Sequence, residues 1–277
     1  MKLAISNIGW APEDTQQVYE LMLKYGFSGL EIAPTIWVPE SPYEPEHVAK
    51  AKEMADALKN TYGFSVCSMQ SILYGRTERI FAIEDERDAL FDYMMAAIDY
   101  AAALGCGNLV FGCPRNRSFP QGWTYNEHIT NAIELAFFQR LGDYAEQKGT
   151  VLAMEANPPI YNTNYINKTF QAMDLVERMD SKGFLLNLDV GTMVENVESV
   201  EMLRGKTAMI NHVHISEPRM MPIRKRPLHE NLAKLLRAEG YQNYISIEVS
   251  KDNLGNKPME ALEEMMRYVA KVFGDES

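Results

Sequence analysis

Short apolar segments alternate with longer amphipathic segments from one end of the chain to the other. The short segments have the length of buried strands, whereas the longer ones repeat apolar residues at helical spacing. We predict strands at residues 2–7, 28–32, 64–70, 108–112, 151–155, 184–189, 210–214 and 244–248. We predict helices at residues 13–25, 45–62, 83–104, 127–148, 168–179, 197–204, 228–239 and 258–273. The pattern is therefore a repeated strand–helix unit.

Eight such units follow one another with no linker and no change in composition. A glycine stands between most predicted helices and the next strand, where helices commonly end; examples are Gly26, Gly63, Gly149, Gly183 and Gly240. A doubly wound open sheet could use the same order of elements, but eight units in 277 residues that end on a helix favour closure. We therefore predict an α/β fold, a (β/α)₈ TIM barrel, as a single domain over residues 1–277.

The alternation within strands indicates which face points into the barrel, because successive strand residues point to opposite sides. In the predicted strand 184–189, one face carries only bulky apolar residues, and the other ends in Asp189. Glu155 and Glu248 end two further strands in the same way. The mixed face, which ends in a residue type that binds metals, is the predicted interior.

Composition and charge exclude several classes of protein. The chain is 46% hydrophobic, enough for a sizeable core, and its net charge of −11 disfavours a nucleic-acid partner. Its three cysteines form no CxxC pair, which suits a reducing compartment. No segment approaches the roughly 20 apolar residues that span a bilayer. We predict a cytoplasmic protein with no membrane partner.

Four consecutive predicted strands end in a residue that can bind a metal. Glu155, Asp189, His214 and Glu248 are separated by 34, 25 and 34 residues, about one strand–helix unit each. A barrel places all four strand ends on one rim, so the side chains can converge. Three carboxylates and one imidazole form a hard site, which predicts one divalent ion: Mn²⁺, Mg²⁺, Co²⁺ or Zn²⁺.

The ordered set of motifs resembles a known family over essentially the whole chain. The motifs are Gly29-Leu30-Glu31-Ile32, Leu188-Asp189-Val190-Gly191-Thr192, His212-Val213-His214-Ile215-Ser216-Glu217 and Ser246-Ile247-Glu248. They look like those of the xylose-isomerase-like barrel superfamily, especially the sugar phosphate isomerase/epimerase group that includes ketose 3-epimerases. The resemblance implies a homo-dimer or tetramer and a sugar-like small-molecule substrate.

The resemblance also implies a mechanism. The metal on the four ligands polarises a carbonyl group as a Lewis acid. Glu155 and Glu248 then transfer protons through a cis-enediolate, which isomerises or epimerises a sugar or sugar phosphate. Two positions differ from the pattern of relatives: Thr192 stands where many carry His, and Tyr161 where some epimerases carry Glu.

Other functions stay open on the same residues. A dehydratase (lyase) of a keto-sugar or cyclitol needs nearly the same groups, because an enediolate can also expel a β-hydroxyl. An endonuclease-type hydrolase of the same superfamily gathers three zinc ions, for which five histidines are too few. A non-catalytic sugar-binding barrel is disfavoured by the complete ligand set.

Several residues near the same rim are candidates for substrate binding. Two arginines after the fourth strand could clamp a phosphate or carboxylate group, although solvated loop arginines would look the same. Polar residues at strand ends could bind hydroxyl groups or simply cap the following turn, and a loop tryptophan could stack on a sugar or pack the loop. The candidates are Glu31, Gln70, Arg115, Arg117, Asn157, Arg219 and Trp37.

Overall fold

A computed structural model describes residues 1–274, and within them eight parallel strands close into a barrel in chain order. Each strand pairs with its neighbours in sequence, and β8 pairs with β1. The strands are β1 (Lys2–Ser6), β2 (Phe27–Ile32), β3 (Ser65–Met69), β4 (Leu109–Phe111), β5 (Leu152–Glu155), β6 (Phe184–Asp189), β7 (Ile210–Ile215) and β8 (Tyr244–Ile247). The predicted TIM barrel is confirmed, with every strand within two residues of its predicted ends.

Helices connect the strands and surround the barrel. The α-helices are α1 (Thr15–Tyr25), α2 (Pro34–Trp37), α3 (Pro45–Tyr62), α4 (Glu84–Leu104), α5 (Pro114–Arg117), α6 (Glu127–Glu134), α7 (Arg140–Lys148), α8 (Thr169–Met179), α9 (Val190–Glu195), α10 (Pro227–Ala238) and α11 (Pro258–Phe273). A π-helical turn, Leu135–Gln139, joins α6 to α7. Among residues 1–274, no helix is both long and apolar enough to cross a membrane.

One predicted helix is wrong. Residues 197–204 do not form an α-helix, because α9 begins directly after β6 and only a short 3₁₀ turn, Val200–Leu203, follows. The early start has a local cause: the side chain of Asp189 accepts a hydrogen bond from the main-chain N–H of Thr192 and so caps the helix. The residue that ends β6 therefore also starts the next helix.

The two faces of the barrel strands differ as their alternation predicts. Leu186 and Leu188 of β6 face the surrounding helices and are buried. The interior is unusually polar, and its side chains bond across the barrel: Gln70 donates to Ser6 at 2.7 Å, and His212 contacts Ser246 at 2.7 Å. This buried polar interior lies directly below the rim that carries the predicted metal ligands.

Gly183 has a packing role that differs from its predicted one. Asp180, in the left-handed conformation with φ 45°, ends α8. A Cβ at position 183 would lie 2.0 Å from the carbonyl oxygen of Gly142 in α7 and 2.5 Å from the main-chain nitrogen of Glu146. The backbone of α7 thus packs directly on the chain entering β6, and only glycine leaves room for it.

We expect Gly183→Ala to lower the free energy of unfolding by about 1–3 kcal/mol, because the added methyl group overlaps backbone that cannot rotate away. Urea denaturation measures the loss. Gly107→Ala is the matched control, since a Cβ there meets nothing within 4 Å. Equal stability of the two variants would contradict the close packing of α7 on β6.

Candidate active site

The four predicted ligands converge at the carboxyl end of the barrel. Glu155 and Asp189 are the last residues of β5 and β6, His214 lies near the end of β7, and Glu248 follows β8 directly. In the register of the sheet, Asp189 pairs with His214. The strands therefore bring together residues that are 93 positions apart in the sequence.

The imidazole of His214 is the centre of this cluster. Its Nδ1 lies 3.0 Å from Oε1 of Glu155 and 3.5 Å from Oε2 of Glu248. Ligand atoms of Glu155, Asp189 and His214 all lie within 4.8 Å of one another. All three of these side chains are buried. The site thus presents carboxylate oxygens and one imidazole nitrogen toward a common point.

Glu31 holds the other side of the imidazole. Its Oε2 lies 2.9 Å from Nε2 of His214 and 3.4 Å from Nε2 of His212, and Gln70 donates to its Oε1 at 3.1 Å. Burial by itself would raise the pKa of the Glu31 carboxyl, but His214 and His212 hold it well below its usual range. Glu31, a predicted substrate-binding residue, is completely buried and contacts the ring nitrogen of His214 that faces away from Glu155 and Glu248.

Both ring nitrogens of His214 face carboxylates, which determines its charge. Burial favours the neutral ring, but the charges of Glu31 and Glu248 and the hydrogen bond to Glu155 raise the pKa of His214 well above 6.5. The surrounding carboxylates therefore favour the protonated ring. A cation that displaced the proton on Nδ1 would leave the bond from Nε2 to Glu31 intact, the arrangement in which a carboxylate orients a metal-binding histidine.

Hydroxyl groups orient Asp189. Thr192 donates to its Oδ2 through both its main-chain N–H at 2.8 Å and its hydroxyl at 2.7 Å, and Ser216 donates to Oδ1. Burial and the nearby charge of Glu155 raise the pKa of Asp189 all the same. Thr192, noted as a departure from the pattern of many relatives, thus supports a predicted ligand.

The electrostatics of the cluster fit a divalent cation. Burial raises the pKa of Glu248 to about 7, and the charges of Glu155 and Asp189 add to the effect. Three carboxylates held this close repel one another unless a positive charge lies between them. Carboxylate oxygens with one imidazole nitrogen are also the donor set that Mn²⁺, Mg²⁺, Co²⁺ or Zn²⁺ accepts. The residues therefore fit the predicted metal.

A cavity of about 280 Å³ lies beside the cluster. Its wall combines the carboxylates with amide, hydroxyl and apolar groups, including Gln70, Asn157, Tyr161, Ile8 and Met220. The volume is at the lower end of the range for ligand pockets, about 300–1,000 Å³, and suits a small molecule. Two grooves of about 620 Å³ lie on the outside of the molecule, and no residue of the cluster lines either of them.

The predicted substrate-binding residues occupy different places. Gln70 and Asn157 line the cavity. Arg117 is fully buried with its guanidinium bonded inside the protein, so it has no free face for a substrate anion. Arg115 and Arg219 are exposed, and neither belongs to the cavity wall. Trp37 is half-buried against the hydrophobic core and also lies outside that wall.

Sequence reasoning left two site residues without a role. Asn187 donates to Oε1 of Glu155 at 2.8 Å. Its position on the interior face of β6, two residues before Asp189, is the sequence feature that could have indicated this role. Tyr161 lines the cavity, and its hydroxyl oxygen accepts a bond from the main-chain N–H of Arg219 at 2.8 Å. The sequence marked Tyr161 only as a departure from the pattern of relatives, because the loop that carries it has no regular spacing from which its place on the cavity wall could be derived.

Residues 19–272 match the family model for the xylose isomerase-like TIM barrel. Because the match covers most of the chain, the chain belongs to this family. The family is the one that the sequence motifs predicted. No curated protein matches the chain significantly.

Solved structures share the fold at low sequence identity. D-psicose 3-epimerase from Clostridium cellulolyticum H10, solved with D-tagatose, has a TM-score of 0.78 at 16% identity, covering 99% of this chain and 100% of that one. The 3-keto-D-glucoside 4-epimerase from E. coli has a TM-score of 0.76 at 20% identity, covering 98% and 99%. The IOLI protein with a bound zinc atom has 0.73 at 15%, covering 99% and 98%. At these identities, the similarity demonstrates the fold alone.

The charged cluster predicts how pH affects the metal-free protein. Glu31, with its lowered pKa, stabilises the fold above 4.5 and loses that effect as pH falls. His214, with its raised pKa, stabilises it below 6.5 and loses that effect as pH rises. Glu248, with its pKa raised to about 7, destabilises the fold progressively as pH rises from 4.5 to about 7. The melting temperature should therefore fall between about pH 6 and about pH 8.

A divalent ion should raise the melting temperature more at the higher pH, because it binds where protons have left. Differential scanning fluorimetry with and without Mn²⁺ measures both effects. Asp189→Asn should reduce the metal-induced rise, whereas Glu263→Gln, which alters an ion pair with Lys24 on the outer surface, should not. A metal-induced rise that Asp189→Asn leaves unchanged would contradict this location for the metal.

Proposed function

We propose that the chain is a divalent-metal-dependent isomerase or epimerase of a small, uncharged, sugar-like carbonyl compound. One observation carries the proposal: Glu155 and Glu248, from strands that are not neighbours, flank the same nitrogen of His214 and line the same cavity. Two carboxylates can therefore reach a bound substrate from different sides. The names of the structural relatives, a D-psicose 3-epimerase and a 3-keto-D-glucoside 4-epimerase, support the reaction class.

Glu155, Asp189, Glu248 and Nδ1 of His214 would hold the metal. Their donor types and their mutual repulsion support this assignment, as does the zinc atom in the structurally similar IOLI protein. When bound, a divalent ion supplies Lewis-acid polarisation of the substrate carbonyl. We assign one ion per chain.

Proton transfer falls to the two glutamates. One carboxylate removes the proton from the carbon next to the carbonyl, and the electron pair of the broken C–H bond forms an enediolate. The other carboxylate returns a proton. Return to the opposite face of the same carbon gives an epimer. Return to the former carbonyl carbon gives an isomer, provided that the proton of the neighbouring hydroxyl group passes to the former carbonyl oxygen. Amide N–H groups of Asn157 and Asn187 donate to the two carboxylate oxygens of Glu155 at 2.8 Å each and so hold the carboxylate in place.

The charges around the cavity favour a substrate without phosphate. Among the described residues, the cavity wall contains carboxylates but no lysine or arginine. Arg117 is engaged internally, and Arg115 is exposed outside the wall. A phosphate group would find no guanidinium clamp or ammonium group on this wall. The same lack of basic side chains disfavours the phosphodiester substrate of an endonuclease.

Turnover in D₂O tests the reaction class. We expect the metal-loaded protein to convert a free ketose to an epimer or isomer in which carbon-bound hydrogen has exchanged for deuterium, measured by NMR and mass spectrometry. The matching ketose phosphate should be a poorer substrate. A product lighter by one water molecule would instead indicate the dehydratase, and failure on all free and phosphorylated ketoses tested would count against the proposal.

Glu248→Gln should lower kcat by about 10²–10⁴-fold, the usual contribution of a general acid or base, because the amide cannot accept and return the proton. The fold should persist, since glutamine has the same shape. Glu260→Gln, which alters an exposed pair with Lys257 on α11, is the control. Near-normal turnover in Glu248→Gln would exclude this glutamate from proton transfer.

Metal content tests the ligand set separately from turnover. We expect about one divalent ion per chain in the reconstituted protein, by elemental analysis after removal of excess metal. Glu155→Ala and His214→Ala should each lose it, because each removes a donor from the centre of the cluster. A wild-type chain that takes up no metal would remove the basis for the proposed chemistry while leaving the barrel fold unaffected.

A further inference from the structure

Arg117 contacts the site from behind the cavity wall. Its side chain is completely buried, and within the described residues its guanidinium donates to no carboxylate. Its guanidinium donates instead to the side-chain oxygen of Asn157 at 3.0 Å, to the carbonyl of Ile166 at 3.1 Å and to the carbonyl of Glu155. A buried cation without an ion pair is costly, so its position calls for an explanation.

We propose that Arg117 is a positioning residue that acts through Asn157 on the carboxylate of Glu155. The inference rests on the proposed function to the extent that Glu155 is taken as a metal ligand and proton-transfer group. Arg117 touches neither the cavity nor the side-chain oxygens of Glu155. Its effect passes through the orientation of one amide group.

The orientation of that amide follows from donor and acceptor chemistry. A guanidinium has only donors, so the group of Asn157 that faces it must be the oxygen. The amide nitrogen then points to Oε2 of Glu155, at 2.8 Å. Rotating the amide by 180° would place its N–H groups against the N–H groups of Arg117, and its oxygen against Oε2 of Glu155. Arg117 therefore fixes which end of Asn157 meets the carboxylate.

The rest of the surroundings complete the restraint on Glu155. Asn187 donates to its Oε1 at 2.8 Å. On another side lies Gly112, where a Cβ would come within 2.7 Å of Oε2 of Glu155 and 3.4 Å of Oδ1 of Asn157. The carboxylate thus has one amide donor on each oxygen, and glycine backbone packs against it. Of these restraints, the bond from Asn157 is the one whose direction Arg117 controls.

Arg117 also has a scaffolding contact that must be separated from this role. By binding the carbonyls of Glu155 and Ile166, it ties both ends of the loop of residues 156–166 to α5. Loss of that tie would affect stability. A purely structural role of Arg117 would not make the effect of its loss on metal binding depend on Asn157. A double-mutant cycle therefore distinguishes the two roles.

The test is such a cycle with Arg117→Met and Asn157→Leu, read out as the Kd for Mn²⁺ by calorimetry and as melting temperature. Loss of a group that orients a metal ligand typically weakens metal binding by about 10–100-fold, and we expect each single variant to do so. The double variant should be no more than about threefold worse than the weaker-binding single variant, because both remove the same restraint. If Arg117→Met does not fold, Arg117→Lys replaces it, since one ammonium group cannot bond all three oxygens.

Arg237→Met is the control, because the guanidinium of Arg237 also donates to two main-chain carbonyls, those of Val272 and Gly274, away from the site. Its Kd for Mn²⁺ should stay at the wild-type value. Either of two results would overturn the positioning role. One is that the effects of the two single changes on Kd multiply in the double variant; the other is that both single variants bind Mn²⁺ with the wild-type Kd. Normal Mn²⁺ binding without turnover of any ketose would overturn the proposed function alone.

Discussion

The burial of one imidazole among carboxylates is the interaction on which the site depends. His214 is completely buried, with Glu31 on Nε2 and both Glu155 and Glu248 near Nδ1. Burying these charges is tolerable only while positive charge balances them. A protonated ring supplies one such charge in the metal-free chain, and a divalent ion would supply more. The donor set therefore fits a divalent cation, whose charge the protonated ring would replace only in part.

The same residues link this charge balance to the barrel. Asp189 faces the cluster and also accepts the hydrogen bond that starts α9. Ser216, two residues beyond His214, donates to Asp189 and accepts from the main-chain N–H of Gly191 at 2.8 Å. A Cβ at Gly191 would lie 2.8 Å from that hydroxyl oxygen, so β7 and the start of α9 approach closely here. The fold at the rim and the geometry of the ligands are thus one set of contacts.

Sequence reasoning succeeded where a repeated pattern carried the information. The alternation of apolar and polar residues predicted the strands, and the spacing of strand ends singled out four side chains that the barrel brings together. It could not assign Arg115 and Arg117, which have the same residue type on the same short helix. One is exposed and the other completely buried, and only contacts with the loop after β5 decide which. The role of Glu31 was equally hidden, because its partner His214 lies 183 residues away.

The buried arginine also bears on the choice of substrate. Burial lowers the pKa of Arg117, and the charge of Glu155 counteracts this, leaving it at about 10, so the guanidinium is charged at neutral pH. This positive charge lies behind Glu155 and offsets part of the repulsion among the carboxylates without entering the cavity. An arginine on the cavity wall would do the same but would also attract anions. Placing the charge behind the wall leaves carboxylate, amide and hydroxyl groups in front, which suits a neutral polyhydroxy compound better than a phosphate ester.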